Sequence, residues 1–325
     1  MAVSTGGFRV EDLEQYRREL TGYCYRMLGS AYDAEDAVQE TMVRAWRSFE
    51  RFDGRSSLRS WLYRIATNVC LDSLNGRNRR AMPMDLSQTA SPPVESSLTP
   101  PLPEATWIEP MPDGRISDTS DPADTVVARD SIRLAFVTAL QQLPPRQRAV
   151  LLLREVLRWK ADEVAELLDT SVASVNSALQ RARATMAATD ADSATPADPM
   201  DDAHKELLRR YVEAFERYDV NGLVALLHED ATQSMPPYEL WLSGAGDIGA
   251  WMLGPGKGCR DSRMLPVRAN GSLALAQYRP SGPGGRHEPW GIHVFEVSGD
   301  RISNITVFLG ARHFEMFGLP PHLDS

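Results

Sequence analysis

Between Leu143 and Arg183 the chain carries two short helical periods separated by a three-residue break. Pro144 and Pro145 open a helix with Ala149, Val150, Leu152, Leu153 and Val156 at core spacing. Proline is tolerated there because the first helical turn needs no N–H partner. A short helix follows from Ala161 to Leu168, with Val164, Ala165 and Leu168 facing in. Asp169-Thr170-Ser171 breaks the period, and Ser171 can cap a third helix from Val172 to Met186. This is the helix-turn-helix pattern, and it confines the stretch to a small helical domain.

The third helix has two unlike faces. Val172, Val175, Leu179 and Ala182 form a buried stripe. Ser174, Asn176, Ser177, Gln180, Arg181 and Arg183 fall mostly outside it, and no acid occurs between Thr170 and Thr189. Short polar donors and arginines without a carboxylate suit the phosphate-lined major groove. An ordinary three-helix fragment with a solvated face is the bland alternative.

A formal charge of −9 looks wrong for a DNA-binding chain until it is divided along the sequence. Residues 1–80 are net +2, 81–125 net −7, 126–189 net +3, 190–203 net −5 and 204–325 net −2. The two helical blocks are mildly basic, and the segments that join the blocks hold most of the negative charge. Cys24, Cys70 and Cys259 lie far apart without metal-ligand spacing, which fits reduced, buried thiols in a cytoplasmic protein. No metal and no cofactor is implied. No apolar run approaches the roughly 20 residues of a membrane span.

Residues 8–80 read as helices. Leu13, Tyr16, Leu20 and Tyr23 give a first amphipathic stripe, ending near Gly29. Asp33 is placed to cap a second helix, Ala34 to Phe49, with Glu35, Asp36, Gln39 and Glu40 clustered in its first turns. Acids near a helix N-terminus are favoured by the dipole alone, and the sharper reading is a docking face for a basic partner. Phe52-Asp53-Gly54 makes a turn, and Ser56 or Ser57 caps a third helix, Leu58 to Leu74. Trp61 and Tyr63 cannot share one stripe, and Arg55, Arg59, Arg64, Arg77, Arg79 and Arg80 surround them. Aromatics among arginines suit single-stranded nucleic acid, although core aromatics with solvated arginines would look the same.

The run Ala34-Glu35-Asp36-Ala37-Val38-Gln39-Glu40-Thr41, then Arg44-Ala45-Trp46, Phe52, Ser57 to Asn68 and Asp72 resembles the σ2 domain of extracytoplasmic-function (ECF) sigma factors of the sigma-70 family. Leu143-Pro144-Pro145-Arg146-Gln147-Arg148 to Arg183 resembles their σ4 domain. The resemblance implies core RNA polymerase, through its β′ clamp helices and β subunit, and promoter DNA as partners. It places polymerase docking on Asp36, Gln39 and Glu40. It places reading and melting of the −10 element on Arg59, Trp61, Arg64, Asn68 and Asp72, and reading of the −35 element on Asn176, Ser177, Gln180 and Arg181. Two departures stand out: many relatives carry a basic residue at Asn176, and a glycine where Asp169 stands. Asp tolerates left-handed geometry, so the turn should survive.

Residues 81–125 are rich in proline and hold eight acids, with no sustained period. They read as an extended linker without a core. Residues 190–203 form a second acidic linker. In residues 204–325, helical periods at Leu207–Phe215, Val220–Leu227 and Ile248–Leu253 flank a short strand at Ala231–Met235. Strand-like runs follow at Met264–Arg268, Leu273–Tyr278, Trp290–Val297 and Ile302–Phe308. Helices first and an antiparallel meander after give an α+β fold.

This segment, with Leu227-His228-Glu229-Asp230-Ala231-Thr232, resembles the SnoaL-like branch of the NTF2-like superfamily, a curved sheet closed into a cone. The whole chain is therefore expected to be multi-domain: all-α σ2 (8–80) and σ4 (126–189) domains, then an NTF2-like cone (204–325). The resemblance implies a tail that modulates the sigma factor in cis, and contact with σ2, σ4 or the linker is the expected route, with a small-molecule ligand or an anti-sigma factor as further partners. His228, Asp230, Trp241, Arg263 and His293 are the candidates for a tail pocket. They show no catalytic spacing, so a non-enzyme is expected. The alternatives are a helix-turn-helix regulator with a ligand-sensing tail, and an enzyme with a DNA-binding front end.

Overall fold

The computed structural model describes residues 11–52, 54, 56–116, 130–189 and 202–324. It divides into two compact units, Met1–Arg79 with Gly114–Ala191, and Arg80–Asp113 with Asp192–Ser325. Among the described residues no helix is long and apolar enough to cross a membrane. Asp53, Arg55, residues 117–129 and most of the 190–203 linker lie outside the described residues.

The first unit is helical. Helices α1 (Arg17–Leu28), α2 (Ala31–Ser48) and α3 (Leu58–Leu74) pack around Leu20, Tyr23, Cys24, Val38, Ala45, Leu62, Ala66 and Cys70, all buried. The buried Tyr23 hydroxyl is 2.8 Å from Thr67 Oγ1, which satisfies both inside an apolar core. Gly29 ends α1 at φ 72°, a left-handed cap that costs a glycine nothing. The second helix starts earlier than its acids suggest. Ser30, not Asp33, is the cap: its hydroxyl accepts the Asp33 N–H at 3.1 Å. Ser57 caps α3 as expected.

Helices α4 (Leu134–Gln141), α5 (Pro145–Leu151), α6 (Ala161–Leu167) and α7 (Val172–Thr189) complete this unit. A π-helical turn, Leu152–Val156, extends α5. Val164, Ala165, Val175, Leu179 and Ala182 are buried as the periodicity requires. Two residues differ. Leu167 is buried instead of Leu168, because α6 ends there, and Val172 is 43% exposed at the tip of α7. Asp169 takes the left-handed turn at φ 50°.

The second unit is α+β. Helices α8 (Asp202–Glu216), α9 (Val220–Ala225) and α10 (Ala245–Leu253) cover a six-stranded sheet in the order β2-β1-β6-β5-β4-β3. The strands are β1 (Leu227–Ser234), β2 (Trp241–Ser243), β3 (Arg263–Ala269), β4 (Ser272–Arg279), β5 (Glu288–Ser298) and β6 (Arg301–Leu309). From β3 to β6 the sheet is an antiparallel meander, and β1 then pairs parallel to β6. The short strand β2 and the closing helix α11 (Arg312–Met316) carry no periodic signal long enough to be read from sequence. Leu207, Tyr211, Phe215, Leu223, Trp251, Leu275, Phe295 and Ile305 form the core between helices and sheet.

The largest correction concerns the segment read as a coreless linker. Residues 80–113 are folded into this second unit. Ala81, Met82, Trp107, Ile108 and Met111 are 4% exposed or less. An isolated parallel bridge joins Ala81 to Trp107, with Ala81 N–H on Thr106 O at 2.8 Å and Ile108 N–H on Ala81 O at 3.1 Å. Trp241 holds the middle: its indole N–H donates to Ser87 O at 3.1 Å, and its carbonyl accepts the Ser91 N–H at 2.7 Å. Arg312 pairs with Glu104 and with the buried Glu109. The far end docks on the β3–β4 turn, where Asn270 and Gly271 both have positive φ, as a two-residue I′ hairpin requires. There Asn270 and Met111 exchange two bonds at 2.9 Å, and Asp113 accepts the Gly271 N–H at 2.8 Å. Prolines remove donors and suppress a period, yet the segment's apolar side chains are buried by distant partners.

Candidate nucleic-acid interface

Helix α7 presents the acid-free face. Asn176, Ser177, Gln180 and Arg181 are exposed together, while Val175, Leu179 and Ala182 anchor the helix from below. Ser171 accepts the Ser174 N–H at 3.1 Å, so the N-terminal end of the helix is capped. Arg183 is engaged by Glu155 at 2.5 Å, which takes it out of the free set.

Helix α3 presents Trp61, Arg64, Asn68 and Asp72 on one side, at a spacing of roughly three to four residues. Asn68 and Asp72 are exposed, whereas Arg59, Trp61 and Arg64 are half-buried. Trp61 closes an aromatic corner with Phe52 and Phe49, at ring-centre distances of 5.1 and 6.1 Å. Tyr63 points the other way into the core, which resolves why both aromatics could not share one stripe. Arg59 pairs with Glu19, and its guanidinium lies 5.3 Å from the Tyr63 ring centre. Asp72 is 3.4 Å from Arg44.

On α2, Asp36 and Gln39 are exposed, and Glu40 pairs with Arg44 at 2.6 Å. Trp46 continues the same stripe, two to three turns on, and is 64% exposed. An exposed indole of this kind is the sort of side chain that anchors interfaces. Residue patterning missed it, because an amphipathic helix normally turns tryptophan inward.

The two helical domains of this unit also touch. Buried Arg26 donates to Ser131 Oγ at 2.7 Å, and buried Arg148 donates to Met27 O and to Gln141 Oε1. Burial pushes both guanidiniums down to about 10, still charged at neutral pH.

The five tail candidates do not converge. Trp241 and Arg263 sit on β2 and β3, the opposite edges of the sheet. His228 and Asp230 face outward on β1, where His228 Nδ1 accepts the Asp230 N–H at 3.3 Å. Trp241 is spent on the 80–113 segment, and Arg263 is exposed. Only His293 is inside the cone, with Nε2 2.9 Å from Gln277 Oε1 and Phe215 against its ring. Gln277 in turn donates to Ser262 at 2.9 Å. Burial depresses His293 to about 3, so it is neutral. A cavity lined by Tyr211, Leu223, Gln233, Met252 and Ile305 includes none of the five. The reason is alternation: adjacent strand positions point to opposite faces, which spacing alone does not place inside or outside a cone. Cys24 and Cys70 are buried free thiols, and Cys259 is only half-buried.

The fold and these faces define a two-headed helical DNA reader of the sigma-70 type with an α+β tail. Family models agree: Sigma-70 region 2 matches residues 13–80, Sigma-70 region 4 matches 133–186, and a SnoaL-like domain matches 208–305. The chain is 46% identical over 313 residues to the ECF RNA polymerase sigma factor SigG of Mycobacterium tuberculosis, covering 95% of this chain and 83% of that one. It is 32% identical over 224 residues to SigJ of the same organism, covering 69% and 63%. The crystal structure of SigJ shares the fold over 96% of this chain and all of that one, with a TM-score of 0.61 at 24% identity. The chain belongs to the ECF RNA polymerase sigma factors. It is a transcription initiation factor, not an enzyme, and it works with core RNA polymerase on promoter DNA. The readings as a self-sufficient repressor and as a bifunctional enzyme are thereby set aside.

Proposed function

We propose that α7 reads the −35 element through Asn176, Ser177, Gln180 and Arg181, and that α3 captures the −10 strand through Trp61, Asn68 and Asp72, with Arg59 and Arg64 on the backbone. Asp36, Gln39, Glu40 and the exposed Trp46 dock on the polymerase. The protein acts in the cytoplasm, and its tail restrains it in cis by holding the connector between σ2 and σ4.

One observation carries the restraint. The Ala81–Trp107 bridge brings together two residues 26 positions apart in the connector. Released and extended, those positions would add roughly 85 Å of reach, at about 3.3 Å each. Bridged, they add about 5 Å. The −10 and −35 elements lie roughly 25 base pairs apart, about 85 Å along B-DNA at 3.4 Å per pair. A tail that gathers the connector therefore shortens the tether that both readings share.

Arg312→Glu tests this. The arginine is half-exposed, and reversal sets three carboxylates together with Glu104 and Glu109. The expected result is faster amide exchange across residues 80–113 and higher promoter output with core polymerase in vitro. Faster exchange with unchanged output would sink the restraint. The −10 and −35 assignments are tested apart from it, by alanine at Asn68 or Gln180 on promoters altered at one element.

A further inference from the structure

The closed packing of σ4 on σ2 has a consequence for initiation. After the π-helical turn the chain bends at Leu157, with Arg158 at φ 57°, and Trp159 meets Tyr63 of α3. Trp159 is 7% exposed, with its ring centre 5.2 Å from that of Tyr63 in an edge contact and 5.8 Å from the Arg59 guanidinium. Arg64 lies 3.4 Å from Glu166 of α6. Two of the five side chains assigned to the −10 element are thus held by σ4 residues. Behind them, Arg26–Ser131, Arg148–Met27 and Gln141–Arg26 join the end of α1 to α4 and α5. The −35 face of α7 stays exposed.

Domains in contact cannot straddle promoter elements about 85 Å apart, because a compact unit of this size is only about 40 Å across. We propose that Trp159 is the wedge of an autoinhibitory latch, which with the Arg26 and Arg148 bonds holds σ4 over the −10 face of σ2 and must open for initiation. This rests on the −10 role assigned to α3.

The latch is built to release. Trp159 Nε1 and Arg148 Nε are buried without a hydrogen-bond partner among the described residues. All the oxygens that Arg148 bonds are neutral: Met27 O, Gln141 Oε1 and O, and Leu143 O. Water would satisfy these groups on opening, which offsets the loss of the aromatic packing. A permanent interface would have paired them or replaced them with apolar side chains.

The test uses the full chain with core polymerase. Trp159→Ala should speed amide exchange in residues 17–28 and 58–74, and should lower the chain concentration for half-maximal transcription about tenfold, since apparent affinity scales with the open fraction. Glu166→Arg, on an exposed side chain, should act in the same direction but less, and does not touch the core of σ4. Arg148→Met should also act in that direction, because it removes the bond to Met27 O that joins the two domains. Exchange that rises without any gain in transcription, or no change in exchange for both Trp159→Ala and Glu166→Arg, would overturn the latch. A failure of the −10 reading shows separately: Asn68→Ala would then leave strand opening intact while Trp159→Ala still speeds exchange.

Discussion

His293 shows how a single side chain ties the tail's stability to pH. It is buried at 4% exposure, bonds Gln277 through Nε2 and leaves Nδ1 unpartnered among the described residues, so only the neutral ring fits. Burial depresses it to about 3, against about 6.5 when unfolded. A depressed group contributes stability that is present above pH 6.5 and is lost as pH falls toward 3, because only the unfolded chain takes up the proton. His313, also depressed to about 3 by burial and then by Arg312, acts in the same direction. The tail should lose up to about 1.4 kcal/mol per pH unit for each histidine below 6.5. Thermal melts of the chain and of His293→Gln from pH 7.5 to 5 check this: the variant should show the shallower decline, and parallel profiles would reject the assignment.

At the scale of the element, α2 and α7 do different physical work. On α2 the exposed Asp36, Gln39 and Trp46 lie along one side of the helix. Charge reversal by Asp36→Lys with Glu40→Lys should remove polymerase binding without unfolding σ2, since both side chains reach solvent. Retained binding in a pull-down with core polymerase would move the docking face elsewhere. On α7 the buried stripe sets which side chains stay exposed. Gln180→Ala should cost about 1–3 kcal/mol of discrimination at one −35 position, whereas Arg181→Ala should weaken all sequences alike if it meets phosphate. Band shifts of the holoenzyme on single-base promoter variants separate the two. The stripes of α3 and α7 were legible because helical period is a local property of the chain. Val172 was misplaced because a stripe does not say where a helix outruns its support.

For the whole molecule, weak net basicity stops being a puzzle. A sigma factor meets DNA together with polymerase, so its own counter-ion term can be small. The purified chain should show little promoter affinity without core polymerase, and tight binding by the chain alone in a salt titration would contradict that. The two restraints we propose, through the connector gathered on the tail and through σ4 latched on σ2, also belong to this scale. Arg312→Glu and Trp159→Ala address them separately, and because they share no partner their effects on transcription should combine nearly additively in free energy.

The sequence alone determined the helices, the helix-turn-helix, the order of the domains and the α+β class of the tail. All of these follow from periodicity, caps and turns within a few residues. Tertiary structure decided what the proline-rich segment does, where Trp159 goes and which tail histidine is inside. Burial of a segment without a period depends on partners more than a hundred residues away, such as Trp241 for Ser87, Asn270 for Met111 and Arg312 for Glu109. The helix-turn-helix is legible in the local period of the chain, but the wedge it carries just before α6 has meaning only against the surface of α3.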